Sequence, residues 1–190
     1  MLSRSLTILI PNKTEENIDN MLNETESLFP EAQIIICTDR ECHGKGWAVR
    51  EALSQATGEV ICFIDGDMDI HPRMISRLLP HLSEFDVVVG KKDTRSKTAR
   101  WVLTILSRIY IRMMFGIPVD TQTGIKVFSR HVLPEWKCDS FAFDIEILYK
   151  IKKQGVRMFE VTIESKTTKR MKLSSILKTL IETIKIKGEI

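Results

Sequence analysis

Three carboxylates at alternate positions, Asp65, Asp67 and Asp69, follow directly on a run of five apolar residues, Val60 to Ile64. Crowded carboxylates repel one another unless a cation lies between them. Gly66, Met68 and Ile70, the residues interleaved with them, supply no basic neighbour. Oxygen-only donors of this kind suit Mg²⁺ or Mn²⁺, which take one or two carboxylates and complete their shell with substrate phosphates. The chemistry expected of Asp65, Asp67 and Asp69 is that of a divalent metal and a nucleotide diphosphate. The competing reading is a polar turn that opens the next helix at Asp69 or His71. An EF-hand loop also begins Asp-x-Asp-x-Asp, but Ile70 and Ser76 stand where it needs glycine and glutamate, so it is excluded.

The carboxylates need a scaffold. A short apolar run rich in β-branched residues reads as a strand buried on both faces, and open α/β sheets bind ligands beyond the carboxyl ends of such strands. Similar runs occur at Leu6–Ile10, Ile34–Cys37 and Phe85–Val89. Between them the sequence predicts helices from Thr14 and Asn17 to about Phe29, from the Cys42–Gly46 loop to about Ala56, and from Pro72 to about Leu82. This alternation predicts a doubly wound, mostly parallel sheet flanked by helices. Further on, a long helix is expected over Lys97–Phe115, strands at Ile125–Phe128 and Val156–Ile163, and a helix at Phe141–Lys153. Arg100, Thr104, Arg108 and Arg112 recur every fourth residue and form one stripe on the long helix. That stripe is either a solvated face or a basic surface for an anionic acceptor.

Bulk properties narrow the class. At 190 residues, 43% hydrophobic and 28% charged, the chain is long enough for one domain with a real core. A net charge of +3 gives no case for nucleic acid, although basic residues concentrate in 91–112 and 150–187. The four cysteines, 37, 42, 62 and 138, form no CxxC pair, which favours reduced thiols and a cytoplasmic compartment. No signal peptide and no apolar run of membrane-spanning length is evident. Leu173, Ile176, Leu177, Leu180, Ile181 and Ile184 lie at helical spacing among lysines. The organisation expected is a catalytic domain over 1–172 and an amphipathic helix over 173–190 that docks on the domain, meets a partner or lies on the cytoplasmic membrane face.

Taken together, the motifs resemble family-2 glycosyltransferases, in particular the polyprenyl-phosphate sugar transferases of the dolichol-phosphate mannose synthase type. Ile10-Pro-Asn-Lys-Thr-Glu-Glu-Asn-Ile18 resembles that family's Pro-x-Tyr-Asn-Glu-Glu, and Thr38-Asp39 its Asp pair. Gly44-Lys-Gly-Trp-Ala48 resembles Gly-Lys-Gly-x-Ala, and Asp65-Gly-Asp-Met-Asp-Ile-His-Pro72 resembles Asp-Ala-Asp-Leu-Gln-His-Pro. Asp120-Thr-Gln-Thr-Gly-Ile-Lys126 is similar to Asp-x-x-Ser-Gly-Phe-Arg. The resemblance implies an A-type glycosyltransferase fold. It implies that Pro11, Lys13, Glu15 and Asp39 line the nucleoside pocket, and that Lys45, Asp65, Gly66, Asp67 and Lys92 hold the donor. Lys166 and Lys172 would close over the donor, with Ser174 and Ser175 as helpers. Asp65, Asp67 and Asp69 would bind Mg²⁺ or Mn²⁺, and Arg100 and Thr104 would hold the acceptor's phosphate. The Gly-Ser-x-Asp-x-Thr loop after the Asp pair is missing, which leaves a GDP- or UDP-linked donor open.

The implied reaction is an inverting transfer of sugar to a polyprenyl phosphate. A lipid phosphate is already an anion near neutral pH and needs positioning, not a general base. A glycan hydroxyl would need one, and Asp144 and Glu146 are the helix candidates. Their ordinary reading, like that of Asp120, is structural: capping, or pairing with Lys and Arg. A non-catalytic nucleotide-sugar-binding homologue is the third alternative.

Overall fold

The computed structural model describes residues 4–12, 18–92, 99–166 and 181–188, the side chains of 99–105 excepted. Six strands form one sheet: β1 (Leu6–Asn12), β2 (Gln33–Thr38), β3 (Val60–Ile64), β4 (Val87–Lys92), β5 (Ile125–Ser129) and β6 (Met158–Ile163), in the order β2-β1-β3-β5-β4-β6. Around them lie α1 (Ile18–Leu28), α2 (Lys45–Ser54), the single turn α3 (Ile75–Leu78), α4 (Ala99–Phe115) and α5 (Phe143–Lys153). Residues 181–188 form a further helix, α6.

The mostly parallel sheet expected from the alternation is present, with one antiparallel insertion. β1 pairs in parallel with β2 and β3, and β4 with β6. β5 runs antiparallel between β3 and β4, so the third and fourth strands are not neighbours as a simple doubly wound order would have them. From α4 the chain returns through residues 116–124 to the carboxyl edge and can enter the sheet there only in the opposite sense. The mouth of β3 and the start of β5 therefore coincide, with Ile64 opposite Ile125.

Alternation along the strands divides the core. Leu9, Ile61, Phe63, Val87, Val89 and Phe128 face α2 and α5, while Ile8, Ile10, Cys62, Ile64, Val88 and Val127 face α1 and the 72–83 segment. Because both faces are covered, the strands read as unbroken apolar runs. β4 extends past Val89 because Gly90, Lys91 and Lys92 pair with Val161, Thr162 and Ile163. The helix expected over Pro72–Leu82 is instead a 3₁₀ turn, one α turn and a second 3₁₀ turn, Leu79–Ser83. Pro80 lacks an amide proton and clashes with the carbonyl four residues back, which breaks the α-helix. The opening of α1 at Thr14 and Asn17 lies outside the described residues.

Candidate active site

Parallel strands deliver their carboxyl ends to one edge. Pro11, Asp39, the Asp65–Asp69 turn, Lys92 and Lys166 all leave the sheet there. Lys13, Glu15 and Lys172, with Ser174 and Ser175, lie outside the described residues. Arg100 and Thr104 lie in the first half of α4.

The Asp turn is built tightly. The Asp65 amide donates to the Gly124 carbonyl at 2.9 Å. The Asp65 carboxylate lies so close over Gly124 that a Cβ there would sit 2.1 Å from Oδ2. A Cβ on Gly66 would come within 3.2 Å of the Pro11 carbonyl oxygen and of Ile18 Cδ1, so the turn presses on the end of β1. Met68 has φ 58°, a left-handed conformation rare for a residue with a side chain. Asp67 Oδ1 accepts the Asp69 amide at 3.0 Å. Met68 and Ile70 are buried in the core and anchor the turn from beneath.

Two basic residues distant in sequence, Lys45 and Lys92, both expected near the donor, pair with this turn. Lys45 Nζ lies 2.5 Å from Asp65 Oδ1, and Lys92 Nζ bonds Asp69 Oδ2. The glycines on either side of Lys45 place it. A Cβ on Gly44 would lie 2.2 Å from the Asp139 carbonyl oxygen, and one on Gly46 2.2 Å from that of Cys138. The Gly46 amide donates to the Asp139 carbonyl at 2.7 Å. The start of α2 is thus pressed against residues 138–139, with Lys45 aimed at the mouth of β3. Burial alone would lower the Lys45 pKa, but Asp65, Asp144 and Asp67 together raise it above the ordinary lysine value. Burial likewise opposes ionisation of Asp65, yet Lys45, then Lys126 and Lys92, hold it below the usual carboxylate range. Both groups are charged at neutral pH.

Behind the mouth lies a buried ion pair. Lys126 in β5, 2% exposed, places Nζ 3.0 Å from Asp144 Oδ2 and donates to the Thr123 carbonyl at 2.6 Å. Glu146 accepts the amides of Lys137 and Cys138, the latter at 2.8 Å, and pairs with Lys150 at 2.7 Å. Asp144 and Glu146 thus have the structural roles of the ordinary reading. Asp120 does too: it pairs with Arg108 at 2.5 Å and accepts from Thr123 Oγ1 and the Gln122 amide. No motif assigns a role to Lys126, although a lone charge inside the run Ile125–Phe128 is a usable signal.

At the end of β2, Asp39 Oδ2 accepts the Gly44 amide at 2.6 Å, and Oδ1 accepts the His43 amide at 3.0 Å. Burial works against the charge, but these amides and the His43 ring hold the carboxyl below its ordinary value. His43 stacks on Trp47 with ring centroids 4.3 Å apart. This closed loop stands in place of the missing Gly-Ser-x-Asp-x-Thr segment.

The residues fit a divalent cation in a limited sense. Asp69 Oδ1 is buried with no hydrogen-bond partner among the described residues. An ionised carboxylate can only accept, so this oxygen is open to a further donor or to a cation. Among the described residues no group of three or more His, Cys, Asp or Glu side chains gathers as a ligand set. The arrangement suits an ion held by one or two carboxylates and completed by phosphate oxygens.

A mostly parallel six-stranded sheet with a reversed β5, flanked by helices, matches the A-type glycosyltransferase fold. Residues 8–133 match the family model for glycosyl transferase family 2, and the chain belongs to that family. It is 22% identical over 180 residues to a dolichyl-phosphate beta-glucosyltransferase of Dictyostelium discoideum, covering 82% of this chain and 53% of that protein. It is 23% identical over 164 residues to an uncharacterised protein of Methanocaldococcus jannaschii, covering 77% and 67%. The chain therefore spans about half the length of the Dictyostelium enzyme. Among solved structures it resembles glucosyl-3-phosphoglycerate synthase of Mycobacterium tuberculosis in complex with Mn²⁺, UDP and phosphoglyceric acid, with TM-score 0.78 and 17% identity over 97% of this chain and 77% of that one. Mannosyl-3-phosphoglycerate synthase of Rubrobacter xylanophilus matches with TM-score 0.74 and 16% identity over 99% and 74%.

Proposed function

We propose that the protein transfers a hexose, with inversion, from a nucleoside-diphosphate sugar to a polyprenyl phosphate, using a divalent cation at the Asp65–Asp69 turn. The observation that carries the lipid acceptor is the orientation of α4. Leu106, Ile109 and Met113, spaced for one helical face, point outward and are at least half exposed; Met113 is 81% exposed. Arg108 turns inward to Asp120, and its Nε is buried without a partner among the described residues. The helix is therefore apolar on two sides, since Ile111 and Phe115 are buried in the core while Leu106, Ile109 and Met113 face outward. α6 lies beside it, joined through Tyr110 Oη to Thr183 Oγ1 at 3.2 Å and from Lys187 Nζ to the Met114 carbonyl at 2.7 Å. Ile181 and Ile184 on α6 are also more than half exposed. Exposed Arg112, Lys185 and Lys187 flank these residues and suit anionic headgroups. No helix among the described residues is long and apolar enough to cross a membrane, so contact with lipid would be interfacial.

In this reading Lys45 and Lys92 neutralise Asp65 and Asp69 until the donor arrives, then transfer to its diphosphate. Asp67, with Asp65 and Asp69, would hold the cation, which supplies charge neutralisation for the departing nucleoside diphosphate. Pro11, Lys13, Glu15 and Asp39 would border the nucleoside, Gly66 would hold the turn close against β1 beneath the donor, and Lys166 and Lys172 would close over it. The Lys166 amide already donates to the Asp69 carbonyl at 2.8 Å. Arg100 and Thr104 would position the acceptor phosphate. A phosphate acceptor needs no base, in keeping with the commitment of Asp144 and Glu146 to other partners.

A second reading, a small phosphate-bearing acceptor, is supported by the fold neighbours with phosphoglycerate. The deciding experiment supplies labelled UDP- and GDP-hexoses with Mn²⁺ to the protein, with either polyprenyl phosphate in vesicles or 3-phosphoglycerate. Label entering the lipid extract supports the proposal. Label confined to the aqueous product replaces it with the second reading, and no transfer to either acceptor refutes both.

A further inference from the structure

Resting on that donor site, we infer that Lys126, with its partner Asp144, is the site's positioning residue: from inside the sheet it fixes the Thr123–Gly124 turn, and through it the Asp65 carboxylate that meets Lys45.

A buried lysine pair is not a natural stabiliser. Removing two charges from water costs about as much as their attraction returns, and apolar replacements are often neutral or better. Lys126 nevertheless sits in the middle of the sheet, opposite Phe63 on β3 and Val89 on β4, in a strand otherwise composed of Ile125, Val127, Phe128 and Ser129. Its ammonium group reaches the Thr123 carbonyl and Asp144 and makes no contact with solvent of any consequence. The geometry explains what the charge achieves. Thr123 immediately precedes Gly124, whose carbonyl accepts the Asp65 amide and whose missing Cβ leaves the space for Asp65 Oδ2. Anchoring the Thr123 carbonyl therefore anchors the surface on which Asp65 lies. Asp144, held by Lys126, begins α5 beside Phe143, and the Phe143 ring lies 5.8 Å below Lys45 Nζ. Lys45, Asp65, Lys126 and Asp144 thus come from α2, β3, β5 and α5 and alternate in sign. A displacement of the inner pair is transmitted to the outer one.

Lys126 touches neither donor nor cation in this account; it acts through Asp65. The test compares wild type with Lys126→Met, Lys126→Arg and the double variant Lys126→Met/Asp144→Leu, which removes both charges and keeps the protein folded should the single variant fail. Amide hydrogen exchange on the free protein reads the Asp65 amide against the Cys62 and Val127 amides deep in the sheet. Nucleotide titration with Mn²⁺ reads the site. The expected result for the double variant is an unchanged or raised melting temperature, protection at Asp65 reduced about tenfold or more, and unchanged protection at Cys62 and Val127. Nucleotide affinity falls by a similar factor, and Lys126→Arg restores both. Undiminished Asp65 protection in the folded double variant overturns the inference, whatever the nucleotide data show. A wild type that binds no nucleotide refutes the donor site itself, while the exchange data still decide the role of Lys126.

Discussion

The mouth of β3 and the outer side of α4 are opposite kinds of surface. At the mouth, charges of both signs meet in pairs: Lys45 with Asp65, Lys92 with Asp69, and Lys126 with Asp144 behind them. On α4 and α6 the water-facing side carries Leu106, Ile109, Met113, Ile181 and Ile184 flanked by exposed Arg112, Lys185 and Lys187, while Arg108 is turned inward. The first surface carries its charges in compensating pairs, with little charge left over. The second exposes apolar side chains that a protein in water ordinarily buries.

Breaking the apolar side should have the largest effect. Ile109→Glu/Met113→Glu is expected to weaken sedimentation with anionic vesicles by about a hundredfold, since each such side chain contributes about 1.5–3 kcal/mol when buried in an apolar phase. Its melting temperature should not fall, because both side chains are exposed. Unchanged vesicle binding would remove the contrast between the two surfaces.

The paired mouth makes an opposed prediction. Lys92→Gln frees Asp69, so Mn²⁺ measured alone by calorimetry should bind more tightly, while the nucleoside diphosphate should bind about tenfold more weakly, near 1.4 kcal/mol. Changes in the same direction would show that Lys92 does not exchange partners. A smaller effect separates structural from catalytic carboxylates. Glu146→Gln should cost about 1–3 kcal/mol of stability, read by denaturant unfolding, through weaker acceptance of the Lys137 and Cys138 amides. Transfer per folded molecule should persist; its loss would revive a base-dependent hydroxyl acceptor.

The pH dependence follows from the signs. Asp65 is held below the ordinary carboxylate value, near 3.9, so its pairing with Lys45 contributes stability above that value. The contribution is lost as pH falls through the lower folded value. Between pH 5 and 8 it should be constant. The smallest expected effect concerns the thiols: at pH 8, alkylation should be fast at exposed Cys42 and slow at Cys37, which burial pushes up to about 12, and at buried Cys62.

Much of this was legible in the chain because local pattern and tertiary role agree. Val60–Ile64 is a strand with the expected bounds, and the elements of the mostly parallel sheet could be read from alternating apolar runs. What was not legible depends on contacts distant in sequence. The motif Gly44-Lys-Gly-Trp-Ala48 places Lys45 at the donor site, but nothing in it announces the pairing with Asp65, twenty residues away, which forms because Gly44 and Gly46 admit residues 138–139. The reversal of β5 is set by where residues 116–124 re-enter the sheet, which no period of apolar residues encodes. The inward turn of Arg108 could not be separated from a solvated stripe by spacing alone, since spacing gives a face and not its direction. Lys126 was visible only as an exception, a charge in a buried strand, and exceptions of that kind mark sites.

The most direct test of the central claim is calorimetric titration of UDP and GDP into the protein, with and without Mn²⁺, for wild type and Asp67→Asn. One nucleotide is expected to bind, only with Mn²⁺, and Asp67→Asn to weaken that binding by at least about tenfold, the scale of one lost charged contact. Binding of neither nucleotide, or binding indifferent to both Mn²⁺ and Asp67, would contradict it.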